Sequence, residues 1–201
     1  MGIRNLSTAS ISTGAKRSKF WDQSTVLTGN YEAIASNTLT STASSVTFTS
    51  IPSTYKHLEI RGVARHDYSA WNQPIFVTVN SDTATNYGSQ GFINNYNGLG
   101  FVAYYDNAAP CYYAQRSAGA SSPSNYFGGI NFSIIDYAKT NKSKIFLSEM
   151  GGALSGTSSN NWAVSMAGGH WRNTNAITSI TLSTQNGSFV AGTRFSLYGI
   201  S

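Results

Sequence analysis

Short runs that alternate apolar and polar residues recur along most of this chain, and this alternation limits its fold more than any other feature. In the clearest run, residues 55–65, Leu58, Ile60 and Ala64 lie on one face together with Gly62. The opposite face carries the polar side chains, which are His57, Glu59, Arg61 and Arg65. A period of two residues is typical of a β-strand with one face in the core and the other in solvent or at an interface.

Further runs of this kind predict strands at short spacing. A hairpin is expected over residues 91–105, turned near Asn97-Gly98, because this dipeptide accepts the positive φ angles of a tight turn. The other strands are predicted at residues 31–36, 45–49, 74–80 (with Pro74 tolerated at the first position), 127–137, 144–154, 161–171, 177–183 and 193–200. Residues 135–139 fit a helical turn and a strand end equally well. About nine to ten strands predict an all-β fold, a single antiparallel β-sandwich that is jelly-roll-like.

The low charge of the chain supports the same fold class. Only 10% of the residues are charged, whereas a typical soluble domain has about 25%. Amphipathic helices need charged outer faces, which this composition supplies sparingly, but 40% hydrophobic residues can build a core. No apolar run reaches the roughly 18 residues of a membrane span, so we expect no membrane contact. The single cysteine, Cys111, excludes an internal disulfide and a cysteine-based zinc site.

The net charge of +5 is unevenly distributed, because residues 1–20 carry +4 and residues 21–201 carry +1. We therefore predict an extended basic-aromatic N-terminal arm over residues 1–29 and a nearly neutral β-sandwich domain over residues 30–201. The arm contains a cluster of cations and aromatic rings: Lys16, Arg17, Lys19, Phe20 and Trp21.

Three interpretations of this cluster remain open. The favoured one is an anchor that docks Phe20 and Trp21 into a groove on a neighbouring subunit while the cations meet acidic groups. In the second, the arm folds back and buries the two rings on its own domain. Nucleic-acid contact is the least favoured, because three cations give only a weak phosphate footprint.

The chain offers little that resembles a catalytic or metal site. His57, His66 and His170 show no metal-ligand spacing, and a surface or interface position is expected for each. A Gly-x-Ser-x-Gly elbow and a phosphate-binding loop are both missing, and Glu32 and Glu59 are the weak candidates for a glycosidase acid pair. We expect no enzymatic activity, no cofactor and no metal.

Aromatic residues concentrate between positions 68 and 126, in a region rich in Asn, Ser and Gly. Such rings suit uncharged glycans, protein interfaces or plain core packing. The candidates for glycan or subunit contact are Tyr68, Trp71, Tyr104 and Tyr105. Three glycine pairs, at 128–129, 151–152 and 168–169, lie within predicted strands and indicate bulges or close sheet contacts.

Six segments of the chain are distinctive as sequences: residues 31–35, 43–62, 136–142, 171–172, 177–182 and 192–200. The string through Ile51-Pro52 and the closing Phe195–Ile200 segment are the most distinctive parts. These segments resemble a domain of tailed-bacteriophage virion structural proteins, of the decoration or fibre type found in marine phage and cyanophage particles. The similarity covers about residues 30–201.

The resemblance implies a non-enzymatic particle component, located in the virion after synthesis in the host bacterial cytoplasm. Its implied partners are other capsid or tail subunits, and a homo-oligomer is expected, with a trimer as the first choice. Capsid decoration and a tail or fibre location remain open. The alternative is a carbohydrate-binding, host-recognition module of a tail fibre or spike that contacts a host surface glycan.

Overall fold

The computed structural model describes residues 30–95, 98–103, 111–153 and 162–201, and the predictions for the arm lie outside these residues. Tyr31–Ser201 form one compact unit. The described part of the chain contains strands and turns but no helix, which confirms the all-β prediction. The strands are β1 (Tyr31–Thr38), β2 (Ser45–Phe48), β3 (His57–Ala64), β4 (Asn72–Val79), β5 (Tyr87–Asn95), β6 (Gly98–Ala103), β7 (Tyr112–Ala118), β8 (Gly128–Ile135), β9 (Lys144–Ala153), β10 (Trp162–Trp171), β11 (Ile180–Thr184) and β12 (Arg194–Ile200).

The strands form two antiparallel sheets that pack as a sandwich. The larger sheet has eight strands in the order β1-β12-β3-β8-β9-β10-β5-β6, and the smaller has four in the order β2-β11-β4-β7. The arrangement of β1-β12-β3-β8 over β2-β11-β4-β7 is the strand order of a jelly roll, with the chain crossing repeatedly between sheets. The remaining strands, β9, β10, β5 and β6, widen the larger sheet beyond β8.

The core lies between the two sheets and follows the alternation of the strands. The inner face of β3 buries Leu58, Ile60 and Ala64, as the sequence predicts. Beneath β8, β9 and β10 the core is aromatic: the Tyr112 ring centroid of β7 lies 5.5 Å from that of Phe132 and 5.0 Å from that of Phe146. We call the rings at this place the aromatic cluster, which comprises Tyr87, Tyr112, Phe132, Phe146 and Trp171.

Some of the sequence predictions for local structure are wrong. Strand β7 was not predicted. Of the two alternatives left open for residues 135–139, the structure has the strand end: β8 ends at Ile135 and residues 136–138 form a turn. Pro74 is the third residue of β4 instead of the first. Its carbonyl accepts a hydrogen bond of 3.4 Å from the Gln185 N–H, one residue beyond the last register pair of β4 with β11. Because the ladder between these two strands ends at that pair, no hydrogen bond of the ladder requires an N–H group at Pro74.

Lys144 is a fully buried cation at the start of β9. Its ammonium donates hydrogen bonds to three backbone carbonyls, those of Lys139, Lys142 (3.1 Å) and Thr174 (2.9 Å). Burial lowers the pKa of Lys144, and the neighbouring Lys142 lowers it further. The side chain thereby ties the β8–β9 turn to the segment after β10.

Arg65 and His66, which directly follow β3, are both buried. The sequence pattern places Arg65 on the outer, polar face of this strand. Arg65 donates to the carbonyls of Pro123, Tyr126 (3.1 Å) and Ser122 (2.8 Å), and these backbone acceptors replace the water that an exposed guanidinium would bind. The prediction of a surface position is also wrong for His66, which is fully buried. Neither of its ring nitrogens has a hydrogen bond of good geometry.

We predict that Lys144→Met lowers the free energy of unfolding by about 3 kcal/mol, because three partly buried hydrogen bonds from a charged donor are lost. Lys142→Met is the matched control, since its ammonium is exposed and pairs with Asp136 at the surface; it should cost less than about 1 kcal/mol. Urea unfolding followed by tryptophan fluorescence measures both. Equal effects of the two substitutions would contradict the role of Lys144.

His66 predicts a loss of stability in mild acid. Burial lowers its pKa to about 4, and the nearby Ser117 carbonyl and Asp67 offset this only in part. The imidazole binds a proton near pH 6.5 in the unfolded chain but only near pH 4 in the folded chain. The free energy of unfolding therefore has its full value above pH 6.5. It falls as the pH drops towards 4, by up to about 3 kcal/mol.

The measurement is the urea-unfolding free energy of the parent, His66→Gln and His170→Gln proteins across this pH range. His66→Gln should flatten the pH profile, and His170→Gln, at a half-buried position, is the matched control. Parallel profiles for all three proteins would rule out the buried imidazole as the cause.

Candidate functional site

The outer face of the larger sheet carries two adjacent rows of residues that run across its interior strands. One row places Arg61 of β3, Asn131 of β8, Glu149 of β9 and Met166 of β10 in register. The next row holds Val63, Gly129, Gly151 and Val164 on the same four strands. The two rows therefore place a cationic side chain, Arg61, at the β3 end of this surface and two apolar side chains, Val164 and Met166, at the β10 end.

These two rows line a groove of about 860 Å³. The groove crosses β12, β3, β8, β9 and β10, and with strands about 4.8 Å apart it is about 19 Å long. Arg194 and Ser196 form its β12 end, and Val164 and Met166 form its β10 end. Every strand beneath it has a neighbour on both sides, so the backbone of the floor is already hydrogen-bonded within the sheet.

Two glycines form the middle of the groove floor. Gly129 and Gly151 are register partners on β8 and β9. A Cβ atom at Gly151 would meet nothing within 4 Å, and one at Gly129 would lie in ordinary contact, 3.5 Å from the Gly151 carbonyl oxygen. Gly152, on the inner face, is crowded by the Gly128 Cα atom at 3.3 Å. The predicted close sheet contact thus applies to the inner glycine of this pair, and the outer glycine is open.

Charged side chains at the β12 end of the groove form a network around Glu59. The Arg61 Nε atom lies 2.5 Å from Glu59 Oε1, and the Tyr31 hydroxyl donates to the same oxygen at 3.0 Å. The Arg61 guanidinium also lies 5.2 Å from the Tyr31 ring centroid. Burial and the bond to Glu59 raise the pKa of Tyr31 to about 12. Glu59 is consequently buried, contrary to its predicted position on an open polar face.

The other charged groups of the groove are not part of that network. Arg194 is exposed and has no ion pair among the described residues. Glu149 lies exposed on the floor, two strands away from Arg61. Between them, the Oδ1 atom of Asn131 has no hydrogen-bond partner. Among the described residues, the groove therefore offers an unpaired cation and an unpaired carboxylate.

A strip of apolar side chains adjoins the β10 end of the groove and continues over β9, β10 and β5. We call it the apolar strip; its members are Ile145 (47% exposed), Leu147 (50%), Val164 (61%), Met166 (46%) and Phe92 (38%). The sequence analysis missed it, although a signal exists. Residues 145–147 are consecutively apolar, so at least one of them must face outward from a strand that alternates.

The predicted contact residues Tyr68 and Trp71 lie in the β3–β4 loop, with 44% and 55% of their surface exposed. The loop is fixed by backbone hydrogen bonds: the N–H groups of Gly119 and Ala120 donate to the Trp71 and Tyr68 carbonyls, each at 2.9 Å. The two rings are thus available at one end of the sandwich. Tyr104 and Tyr105, predicted to act with them, lie outside the described residues.

Two further aromatic residues of the 68–126 region and the two candidate acids have structural roles. Tyr87 and Tyr112 are fully buried, and burial raises the pKa of each. Glu32 accepts a hydrogen bond of 2.7 Å from Tyr55, whereas Tyr31, which precedes Glu32, reaches Glu59 on the outer face. Glu32 and Glu59 therefore project to opposite sides of the sheet and do not form an acid pair.

The described part of the chain contains no group of three His, Cys, Asp or Glu side chains that could hold a metal ion. Within the same residues, no helix is long and apolar enough to cross a membrane.

Comparison with known proteins gives one structural likeness. No protein-family model matches the chain, and no curated protein matches it. Among solved structures, the exo-inulinase of Aspergillus awamori is similar with a TM-score of 0.40 and 14% identity over 85% of this chain. The chain spans 29% of the length of that enzyme.

Proposed function

We propose that this chain is a non-enzymatic structural component of a tailed-bacteriophage particle. It is displayed on the capsid or the tail, as a decoration or fibre protein, and residues 1–29 anchor it to neighbouring subunits. Its partners are other virion proteins and further copies of itself, with a trimer as the first expectation.

The apolar strip is the observation that carries this proposal. Large hydrophobic side chains lie close together on β9 and β10, two interior strands, and on β5. Met166 is the register partner of Phe92, and Leu147 lies diagonal to Met166, because Leu147 pairs with Gly168. Contiguous exposed apolar side chains on one sheet face are typical of a surface that another protein covers. The strip lies in a nearly neutral domain, so neighbouring subunits meet little charge repulsion.

A second candidate function is host recognition through surface glycans. Tyr68 and Trp71 favour it, because both rings are half exposed on one hydrogen-bonded loop, where they can stack on a sugar face. This function is compatible with a place in the particle, since a displayed domain can bind both a neighbouring subunit and the host.

We predict that Leu147→Asp weakens self-association and incorporation into particles by tenfold or more, because a carboxylate would be buried in the interface, at a cost of about 2 kcal/mol or more. Ser45→Asp is the matched control, since Ser45 is exposed on the edge strand of the smaller sheet. Sedimentation velocity measures association, and mass spectrometry of particles from complemented hosts measures incorporation. Wild-type behaviour of Leu147→Asp would contradict the interface.

Deletion of residues 1–29 tests the anchor separately. The remaining unit, Tyr31–Ser201, contains all the described strands, so it should unfold cooperatively at nearly the temperature of the full chain. It should be absent from purified particles, because the attachment is lost while the sandwich remains. Normal incorporation of the truncated protein would show that the arm is not the anchor.

A further inference from the structure

We propose that the groove across β12, β3, β8, β9 and β10 binds an oligosaccharide that carries carboxylate groups. This inference requires neither the assembly role nor the Trp71 loop. The volume of about 860 Å³ lies in the range of sites that enclose small ligands, roughly 300–1,000 Å³. A length of about 19 Å across five strands fits a chain of several sugars better than a single one.

The open glycines of the floor have no structural explanation within the sheet. Glycine weakens the interior of a strand unless a bulge, a positive φ or a close approach requires it. Gly129 and Gly151 are paired in a continuous ladder, and the positive-φ glycines among the described residues are Gly187 and Gly192. A side chain at Gly151 would enter empty space. The space above these two residues is left free, as close approach of a ligand to the backbone requires.

The polar side chains of the groove define the chemistry of the ligand. Arg194 and Arg61 are diagonal neighbours on β12 and β3, because Arg194 pairs with Val63 and Ser196 with Arg61. The two residue positions are about 7 Å apart, and Arg61 is held by Glu59, so Arg194 is the cation that is free to bind an anion. A carboxylate can accept two parallel hydrogen bonds from its guanidinium group. Asn131 and Glu149, farther along the floor, can bind sugar hydroxyls as donor and acceptor.

The remaining wall suits the less polar faces of sugar rings. Val63 and Val164 stand at either end of the glycine pair in the same row, and Met166 borders them on β10. A sugar chain lying along this row would place C–H groups against the valines while its hydroxyls reach the adjacent row. The acidic group then lies at the β12 end, away from Glu149.

An extended acidic peptide fits the same groove less well. A peptide backbone gains affinity on a sheet by adding to an edge strand, where N–H and C=O groups are unpaired. All five strands under the groove are interior strands, so a peptide crossing them would lose water from its amides without finding backbone partners. A glycan has no such requirement, because its hydroxyls pair with side chains.

Calorimetric titration of the purified full-length protein tests the proposal. The probes are oligogalacturonate and oligosialic acid as carboxylated sugars, maltotetraose and cellotetraose as neutral sugars, and a polyglutamate peptide. We expect at least one carboxylated sugar to bind, with an affinity that falls as salt is raised. Failure of both carboxylated sugars, or equal binding of the neutral sugars or of polyglutamate, would overturn the proposal.

Substitutions then locate the site. Gly151→Val should fill the floor and lower affinity at least tenfold, while Gly168→Val, on the same face but outside the groove, should not. Arg194→Gln should also lower affinity about tenfold, through loss of one charge-assisted bond. Thermal unfolding verifies that each variant is folded. Unchanged binding by Gly151→Val and Arg194→Gln, or loss of binding by Trp71→Ala instead, would place the sugar elsewhere and overturn the proposal.

These results are separable from the assembly role. Leu147→Asp should bind the sugar as the parent protein does, and Gly151→Val should enter particles normally. Val164 and Met166 belong to both the groove wall and the apolar strip, so neither is substituted in these binding and incorporation tests.

Discussion

The aromatic cluster beneath β8, β9 and β10 holds in place the strands that carry both the groove and the apolar strip. Tyr112 of β7 packs against rings from β8 and β9, and its hydroxyl lies 3.0 Å from Ser148 Oγ and donates to the Ala167 carbonyl at 3.2 Å. Since neighbouring residues on a strand face opposite ways, fixing Ser148 inward fixes Leu147 and Glu149 outward. A slip of one residue would bury Leu147 and expose Ser148, destroying both surfaces.

Much of this fold could be predicted from the alternation of the sequence, and the exceptions share a physical cause. Strand β7 escaped prediction because it buries Gln115 and Ser117, which are polar, and has a register shift between Tyr113 and Gln115. Gln115 is satisfied by the carbonyl and hydroxyl of Ser148, each 3.2 Å from its Nε2 atom. Lys144 and Arg65 are likewise buried against backbone carbonyls, and no sequence pattern shows where such acceptors lie.

The candidate site was less predictable than the fold. Exposed aromatic residues could be anticipated in the region of Tyr68 and Trp71, but the same composition also contained Tyr87 and Tyr112, which form the core. The two pairs differ in position: Tyr68 and Trp71 lie on a hydrogen-bonded loop, whereas Tyr87 and Tyr112 lie on strands that face the core. The glycine pairs could be found in the sequence, but the register of the strands determines which glycine of a pair faces the core. In 151–152 one glycine is needed for close packing and the other lies open on the outer face.

The low charge of the domain and the geometry of its larger sheet both favour a protein contact on the outer face of that sheet. The inner face of the larger sheet packs on the smaller sheet, and its outer face carries the groove and the apolar strip. The domain is nearly neutral, and the charged side chains of the groove are Arg61 and Arg194 near its β12 end and Glu149 on β9. The central claim is that the apolar strip on this outer face is covered by a neighbouring subunit in the assembled particle.

Hydroxyl-radical labelling of the dilute purified chain and of intact particles tests that claim most directly. Met166 is half exposed and belongs to the apolar strip, whereas Met150, on the same sheet, is buried and serves as an internal reference. The account predicts that Met166 is labelled in the isolated chain and protected in the particle, while Met150 stays protected in both. Equal labelling of Met166 in the two samples would contradict it.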